Sequence, residues 1–407
     1  MSLSPVEILG LCVLAVGAGT IGFIFLQQIG QNLRLKSLHR MELAVFEERL
    51  NGMRDFRTRL QGLPVAWSGT RKFRVSEKKQ EGGGICSFYL VPHDGRTPLP
   101  AFKPGQFLTF HINLNGKKHI RCYSLSDCYH ADHYRISVKK NTPKDGHFSI
   151  STYFHEQIKE GDFVDVAAPS GDFVLDLHEG GAVVLSGSGV GVTPVLSMMN
   201  ALVDARSRRE IWFFYGVVDG SNHILRDKVR EWRELGWPNL HIVVCFTKPT
   251  ETDVKGVDYD ENSRVDPALM RRLLPSNNFD FYTCGPVPMM KGLRDGLQEW
   301  GVPDERVHDE AFVQEAQAVS VSESKVSFRK SGVLLTISGS VTNLLNFATD
   351  NGVDTIIAGC KAGKQGCCQT ALIEGKVKYL QRPEFNVEKG CCLPCICLPE
   401  GDIVLDA

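Results

Sequence analysis

Val183–Met199 reads VVLSGSGVGVTPVLSMM. β-branched and apolar residues lead into Gly187, Gly189 and Gly191, then Thr193-Pro194, then an apolar stretch of helical character. This pattern predicts a buried strand that turns through glycines directly into a helix. Thr193 offers a capping hydroxyl, and Pro194 suits a first helical turn. Glycines at such a turn let backbone approach a phosphate. The spacing is not G-x-G-x-x-G, so on these residues alone a tight structural turn without a ligand stays open.

Working outward, REIWFFYG, NLHIVVCF and FDFYTCG are further apolar runs separated by helical stretches. They predict a doubly wound α/β unit over residues 180–313, with a parallel sheet buried on both faces. The last run ends at Cys284-Gly285-Pro286, which places a thiol at the carboxyl edge of the sheet, where open α/β sheets take ligands. A small buried apolar side chain is the other reading of Cys284.

Upstream, RKFRVSEKK, CSFYLVP, GQFLTFHINL, KHIRCYSLSD, HYRISVKK and DFVDVAAPSGDF mix β-branched and aromatic residues with Gly, Pro and Asp punctuation. They predict an antiparallel barrel over 65–179. In RCYSLSD, strand alternation sends Arg121 and Tyr123 to one face. A cation for phosphates, an aromatic plane and a hydroxyl (Ser124) are what a flavin site requires, although an ordinary barrel strand also accommodates them. In DGHFSISTYFHE, Gly146, His147, Phe148 and Ser149 stand where a helix starts, and backbone N–H groups there suit an anion.

Residues 314–324 are polar and small and predict a linker. Residues 325–407 hold strand patterns, one helical stretch (TNLLNFATDNG) and a cysteine cluster. At the other end, Ile8–Leu26 carries no charge over 19 positions, about 30 Å as a helix. Arg34, Lys36 and Arg40 follow it. These features predict a transmembrane anchor (1–30) and a single-pass membrane protein with its soluble domains in the cytoplasm. Residues 31–64 follow as a juxtamembrane helical stalk or a plain spacer.

The 46 basic and 47 acidic side chains nearly cancel, which argues against nucleic acid as a partner. Of 13 cysteines, seven fall from Cys360 onward, and the total is odd. Clustering in a long chain favours metal or redox chemistry in a reducing compartment over a disulfide scaffold.

The motifs RCYSLSD, GDFVLDL, GSGVGVTPVLSM and CGPVPMM, in this order from Trp67 to Phe312, resemble the ferredoxin–NADP⁺ reductase superfamily, in particular its flavohaemoglobin-type reductase module. The resemblance implies FAD in the barrel and a nicotinamide dinucleotide on the α/β unit. It places Arg121 on the flavin phosphates, Tyr123 and Ser124 on the flavin ring, and Gly146, His147, Phe148 and Ser149 on the pyrophosphate. Gly187, Gly189, Gly191 and Thr193 would cradle the nicotinamide cofactor, with Cys284, Gly285 and Pro286 near the hydride-transfer point. Ser124 and Cys284 become the catalytic candidates, and Phe312 the aromatic that ends such domains.

Residues 325–407 resemble a plant-type ferredoxin, a β-grasp fold whose loop carries C-x₄-C-x₂-C and a distant fourth cysteine. In AGCKAGKQGCCQT, Cys360 and Cys368 keep that spacing, Gly363 and Gly366 hold turn positions, and LPC supplies Cys395. Gln365 occupies the second ligand position, with Cys367 two residues later. A 2Fe–2S cluster on Cys360, Cys367, Cys368 and Cys395 is expected; ligation by Cys391 or Cys392, or a fold without a cluster, stays open.

The expected fold class is therefore multidomain: transmembrane helix, antiparallel flavin barrel, α/β nucleotide domain and β-grasp domain. The expected activity takes hydride from NADH to FAD and passes single electrons through the cluster to a membrane-associated redox partner protein such as an oxygenase component. A quinone acceptor, or a non-catalytic tethered binding subunit, is the alternative. Asp219, after the second strand of the α/β unit, favours NADH over NADPH; Ser221, Asn222 and Arg226 lie beyond it.

Overall fold

The computed structural model describes residues 67–95, 97–114, 116–141, 149–177, 180–312, 319–353, 355–356, 363, 366–383 and 385–407. The six alternating runs become β1 (Thr70–Gly82), β2 (Ile85–Pro92), β3 (Phe107–Leu114), β4 (Lys117–Ser124), β5 (Tyr134–Lys139) and β6 (Phe163–Ala167). They form one antiparallel sheet in the order β4-β3-β6-β1-β2-β5. Its outer strands meet where Leu125 bridges Ile136 and the Ser126 amide donates to Arg135 O at 2.9 Å, which closes a barrel. Period-two alternation fills the inside: Phe73 and Val75 are fully buried while Arg74 between them is not. Helix α1 (Ile150–Glu156) plugs this core with Phe154, edge-on to Phe88 at 5.4 Å and Phe110 at 5.3 Å.

The second unit holds β7 (Val183–Ser188), β8 (Ile211–Val217), β9 (Leu240–Phe246), β10 (Asp280–Cys284) and β11 (Val307–Glu310). All pairings are parallel, in the order β11-β10-β7-β8-β9, so the winding reverses between β7 and β10. Helices α2 (Val192–Asp204), α3 (Arg226–Glu234), α4 (Pro267–Leu273) and α5 (Val287–Glu299) connect or flank them. Every residue of α2 from Val192 to Leu202 is buried. The apolar-run reading did not separate β11, because VHDE has a single apolar residue and sits at the sheet edge.

The third region contains β12 (Val319–Phe328), β13 (Val333–Val341), α6 (Leu344–Asp350), β14 (Thr370–Glu374), β15 (Val377–Tyr379), β16 (Cys391–Cys392), β17 (Cys397–Pro399) and β18 (Ile403–Leu405). A mixed sheet runs β13-β12-β18-β14-β16, with β12 and β18 parallel, and β15 pairs with β17. Leu344, Leu345 and Ala348 of α6 pack with Val326, Phe328 and Ile337. Part of the expected linker is corrected here: β12 begins at Val319, and Val319, Ser320 and Val321 pair with Val341, Ser340 and Gly339. That end of the hairpin is largely exposed, so nothing selects apolar residues there.

The expected single-pass membrane location is also corrected. Among the described residues no helix is long and apolar enough to cross a bilayer. The longest in the α/β unit, α2 and α5, have 13 residues, about 20 Å. The expected anchor and stalk, residues 1–64, lie outside the described residues.

One buried histidine ties α/β stability to pH. His223 is 7% exposed, with its ring 5.4 Å from Tyr215 and 5.9 Å from Phe246. Burial first, then Arg226 and Arg233, push its pKa down to about 4. The folded state keeps it neutral while the unfolded chain protonates near 6.5, so its contribution is intact above pH 6.5 and drains as pH falls towards 4. The unfolding free energy of the α/β unit, read from urea titrations, is expected to fall across that window by up to about 3 kcal/mol from this group. His223→Leu should flatten that part of the profile; an unchanged slope refutes the assignment.

Candidate functional site

The order reversal between β7 and β10 sets two βα turns side by side. Gly187 pairs in register with Cys284, and a Cβ on Gly187 would lie 2.7 Å from Val192 Cα. A Cβ on Gly191 would lie 2.6 Å from Gly285 Cα and 2.7 Å from Cys284 O. The turns therefore touch backbone to backbone, and only glycine permits it. Gly189 differs: its φ is +55°, and a Cβ there would meet nothing within 4 Å. The floor of the crevice is closed and its lip is open.

Two buried hydroxyls lie at these strand ends. Ser186 and Thr283 are register partners, 0% and 3% exposed, and neither Oγ has a hydrogen-bond partner. A buried unsatisfied hydroxyl costs about 1–3 kcal/mol, so a polar ligand reaching this edge fits them. The expected capping role of Thr193 is corrected. The N-cap of α2 is Gly191, without a side-chain cap, and Thr193 Oγ1 donates back to Val190 O at 3.0 Å. Thr193 braces the turn, and the first N–H groups of α2 carry no capping side chain, as an anion site requires.

Cys284 is fully buried in the core with Leu185 and Tyr282. Burial, with Glu310 and Asp309 adding to it, pushes the thiol well above its ordinary pKa. It acts here as a neutral packing atom. Pro286 is the N-cap of α5, and a Cβ on Gly285 would lie 3.0 Å from Met289 Sδ. Phe312 is 42% exposed.

On the barrel, β4 carries the other candidates. Tyr123 packs edge-on against Phe110 at 5.5 Å and Phe154 at 5.1 Å, and burial pushes its phenol above the usual range. Arg121, two residues before it, donates from Nη1 to Ile120 O at 2.7 Å. Ser124 is buried and pairs with Phe107. Ser149 is the N-cap of α1, accepting from the Thr152 amide at 3.1 Å and donating to Asn141 O at 2.6 Å. Gly146, His147 and Phe148 lie outside the described residues.

The residue that sequence reasoning passed over is Asp127, the last of RCYSLSD. Its carbonyl accepts from Ser197 Oγ at 2.7 Å and its Oδ1 from Asn200 Nδ2 at 2.8 Å. The end of the candidate flavin strand is thus stapled to α2, the helix that starts at the glycine turn. Ser197 and Asn200, two polar residues three apart in the apolar middle of that helix, were the signal.

In the third region, Cys368 and Cys395 are buried with their sulfurs 3.1 Å apart. Hydrogen bonding with Cys395 lowers the Cys368 pKa against the opposing effect of burial. Cys392 and Cys397 are also buried, and their mutual hydrogen bond is the main cause raising Cys397. The two loop glycines have positive φ, +71° at Gly363 and +67° at Gly366. A Cβ would lie 2.4 Å from Ile396 Cδ1 at the first and 2.4 Å from Phe385 Cε1 at the second. The close thiol pair and the packed glycine turns fit a thiolate-held cluster. Cys367 is half-buried; Cys360 and Gln365 lie outside the described residues.

Comparison with known proteins agrees with this geometry. Residues 74–175 match the oxidoreductase FAD-binding domain family and residues 185–295 the oxidoreductase NAD-binding domain family. A flavohemoprotein of Bacillus thuringiensis subsp. konkukian is 38% identical over 252 residues, 60% of this chain and 61% of that protein. One of Rhodopirellula baltica is 38% identical over 264 residues, 64% of each. The match thus spans less than two thirds of these relatives. The flavohem-like FAD/NAD-binding domain of a Vibrio cholerae nitric oxide dioxygenase is 30% identical with a TM-score of 0.52, covering 60% of this chain and 98% of that one. Phthalate dioxygenase reductase, a modular structure for electron transfer from pyridine nucleotides to 2Fe–2S, is 25% identical with a TM-score of 0.55. Its coverage is 83% of this chain and 98% of its own.

The glycine contact yields a direct test. Gly191→Ala is expected to destabilise the α/β unit by about 1–3 kcal/mol and to weaken pyridine-nucleotide binding at least tenfold. Gly180→Ala, where an added Cβ meets nothing within 4 Å, should change neither. Denaturant midpoints and nucleotide titration read both, and equal behaviour of the two variants refutes the role given to the contact.

Proposed function

Because the chain belongs to the flavohemoprotein-like FAD- and NAD-binding oxidoreductases of the ferredoxin–NADP⁺ reductase family, we propose that it works as an NADH-dependent electron-splitting reductase. It is an NAD(P)H flavoprotein oxidoreductase. The proposal adds the outlet: single electrons leave through a 2Fe–2S centre in a ferredoxin-like region, residues 325–407, to a redox partner protein of the oxygenase kind. The observation that carries the reading is the stapling of β4 to α2 through Asp127, which holds the candidate flavin strand against the helix of the nucleotide turn.

FAD, when bound, would supply the chemistry of taking two electrons as hydride from NADH and giving them up singly; the chain supplies position and surroundings. Arg121 is the cation for the flavin phosphates, Tyr123 the aromatic wall and Ser124 the hydroxyl beside the ring. Ser149 orders the start of α1 next to the pyrophosphate. The turn Gly187–Gly191 and the uncapped N–H groups of α2 hold the nicotinamide dinucleotide. Cys284 and Gly285 keep the crevice floor tight and would stand near the hydride-transfer point. Cys367, Cys368 and Cys395, with Cys360, are the cluster thiolates.

The preference for NADH rests on Asp219. Its Oδ1 accepts from the Ser221 amide at 2.9 Å and from Asn222 Nδ2 at 2.9 Å, and bonds from Ser221 and Asn222 hold the carboxyl below its ordinary pKa. A fixed carboxylate repels a 2′-phosphate, and the nearby cation Arg226 is paired with Asp258 at 2.9 Å. Steady-state kinetics should give NADH at least a tenfold advantage in kcat/KM over NADPH, which Asp219→Asn narrows several-fold. A parent that prefers NADPH overturns this assignment.

The outlet is tested on flavin- and iron-loaded full chain. NADH should bleach the flavin, and reduction should produce a paramagnetic signal. Cys368→Ser should leave ferricyanide reduction by NADH intact while lowering reduction of a one-electron protein acceptor at least tenfold. If reduced, iron-loaded protein gives no such signal, or if the variant serves both acceptors equally, electrons do not leave through these thiols.

A further inference from the structure

The connection from β4 to β5 contains DCYHADH, Asp127–His133, and apart from the backbone staple at Asp127 the reductase reading leaves it without a task. Asp127, Cys128 and His130 are, among the described residues, the one group of three whose ligand atoms lie within 4.8 Å of one another. Cys128 Sγ is 3.5 Å from His130 Nε2, and Asp127 Oδ2 is 3.8 Å from the same nitrogen. With bonds of about 2.0–2.1 Å to nitrogen or oxygen and about 2.3 Å to sulfur, neighbouring ligand atoms on a tetrahedral zinc ion stand about 3.4–3.6 Å apart. The two distances to His130 Nε2 are therefore within a few tenths of an ångström of that geometry, and the third, between the Cys128 and Asp127 ligand atoms, is under 4.8 Å.

Asp127 and His130 are also held in place by groups outside the trio. Asp127 Oδ1 is engaged by the Cys128 amide at 2.9 Å and Asn200 Nδ2 at 2.8 Å, which leaves Oδ2 turned towards His130. The His130 ring stacks on His133 at 4.6 Å and 11°, and His133 Nδ1 is bonded to Asp132 at 2.9 Å. The opposing charge is Arg135, whose Nη1 lies 3.9 Å from Asp127 Oδ2. Its Nη2 is paired with Glu81 at 2.8 Å, so part of that charge is already neutralised. All three ligand residues are half-buried, open enough for an ion to enter and for water to complete its coordination.

We propose that Asp127, Cys128 and His130 form a three-ligand site for a zinc-class divalent cation at the junction of barrel and α/β unit. Thiolate, imidazole and carboxylate together select zinc or its transition-metal neighbours over magnesium and calcium, which take oxygen alone. The ion is a clamp: Asp127 holds α2 through its carbonyl and Oδ1 and would hold the metal through Oδ2. The site is separate from the thiols of residues 360–397 and does not depend on whether those bind iron.

The test uses flavin- and iron-loaded full chain, with the C-terminal thiols identical in every sample. Under saturating zinc, elemental analysis should give one more equivalent per chain in the parent than in Cys128→Ser/His130→Ala. Cobalt should add a thiolate charge-transfer band in the parent-minus-variant difference spectrum. Basal NADH–ferricyanide activity should be equal in both. Independently of any variant, zinc should slow iodoacetamide alkylation of Cys128 at least tenfold, read by mass spectrometry of its peptide. Equal stoichiometry in parent and variant, or alkylation of Cys128 unaffected by zinc, overturns the proposal.

Discussion

The contact between Gly191 and Gly285 constrains the rest of the catalytic half of the molecule. Two parallel strands whose connections leave in opposite directions create a crevice only if their turns stay low, and here both turns meet with no side chain between them. A methyl group on Gly191 would push α2 away from the turn at Gly285. Since α2 is buried along its length and is stapled to the barrel through Asp127, that displacement would travel to β4. Backbone packing at the two turns thus bears on how α2 meets the end of β4.

How far the sequence was readable follows from the range of the forces involved. Period-two alternation is local, so the six barrel strands stood out, and so did the four apolar runs of the parallel sheet. Edge strands defeated the reading: β11 and the first half of β12 have few apolar neighbours, so their residues are polar although their backbone is extended. Thr193 was misread because its hydroxyl has two local options, capping α2 or bonding Val190 O, and the tight approach of Gly191 decides for the second. Asp127 could not be assigned from the motif alone, because its partners Ser197 and Asn200 lie some seventy residues away. The membrane expectation came from a stretch of hydropathy outside the described residues, and no described helix supports it.

Cysteine shows how surroundings sort one residue type into different tasks. Cys284 is buried in an apolar core with Glu310 and Asp309 nearby, and burial with those carboxylates keeps it neutral. A nucleophile or an iron ligand needs the opposite condition, and Cys368 has it: a second sulfur at 3.1 Å and a lowered pKa despite burial. Cys128 is a third case, with a nitrogen and a carboxylate oxygen converging beside its sulfur and no second thiol among the candidate ligands. Sequence position does not distinguish these three.

This sorting also bears on the direction of electron flow. At the strand ends of β7 and β10 burial keeps Cys284 neutral, so this cysteine puts no thiolate on the crevice floor. The buried thiols of Cys368 and Cys395 lie in a separate region whose glycine turns are packed against Ile396 and Phe385. In the proposed electron flow, entry and exit would then lie in regions where burial and neighbouring groups set cysteine protonation differently.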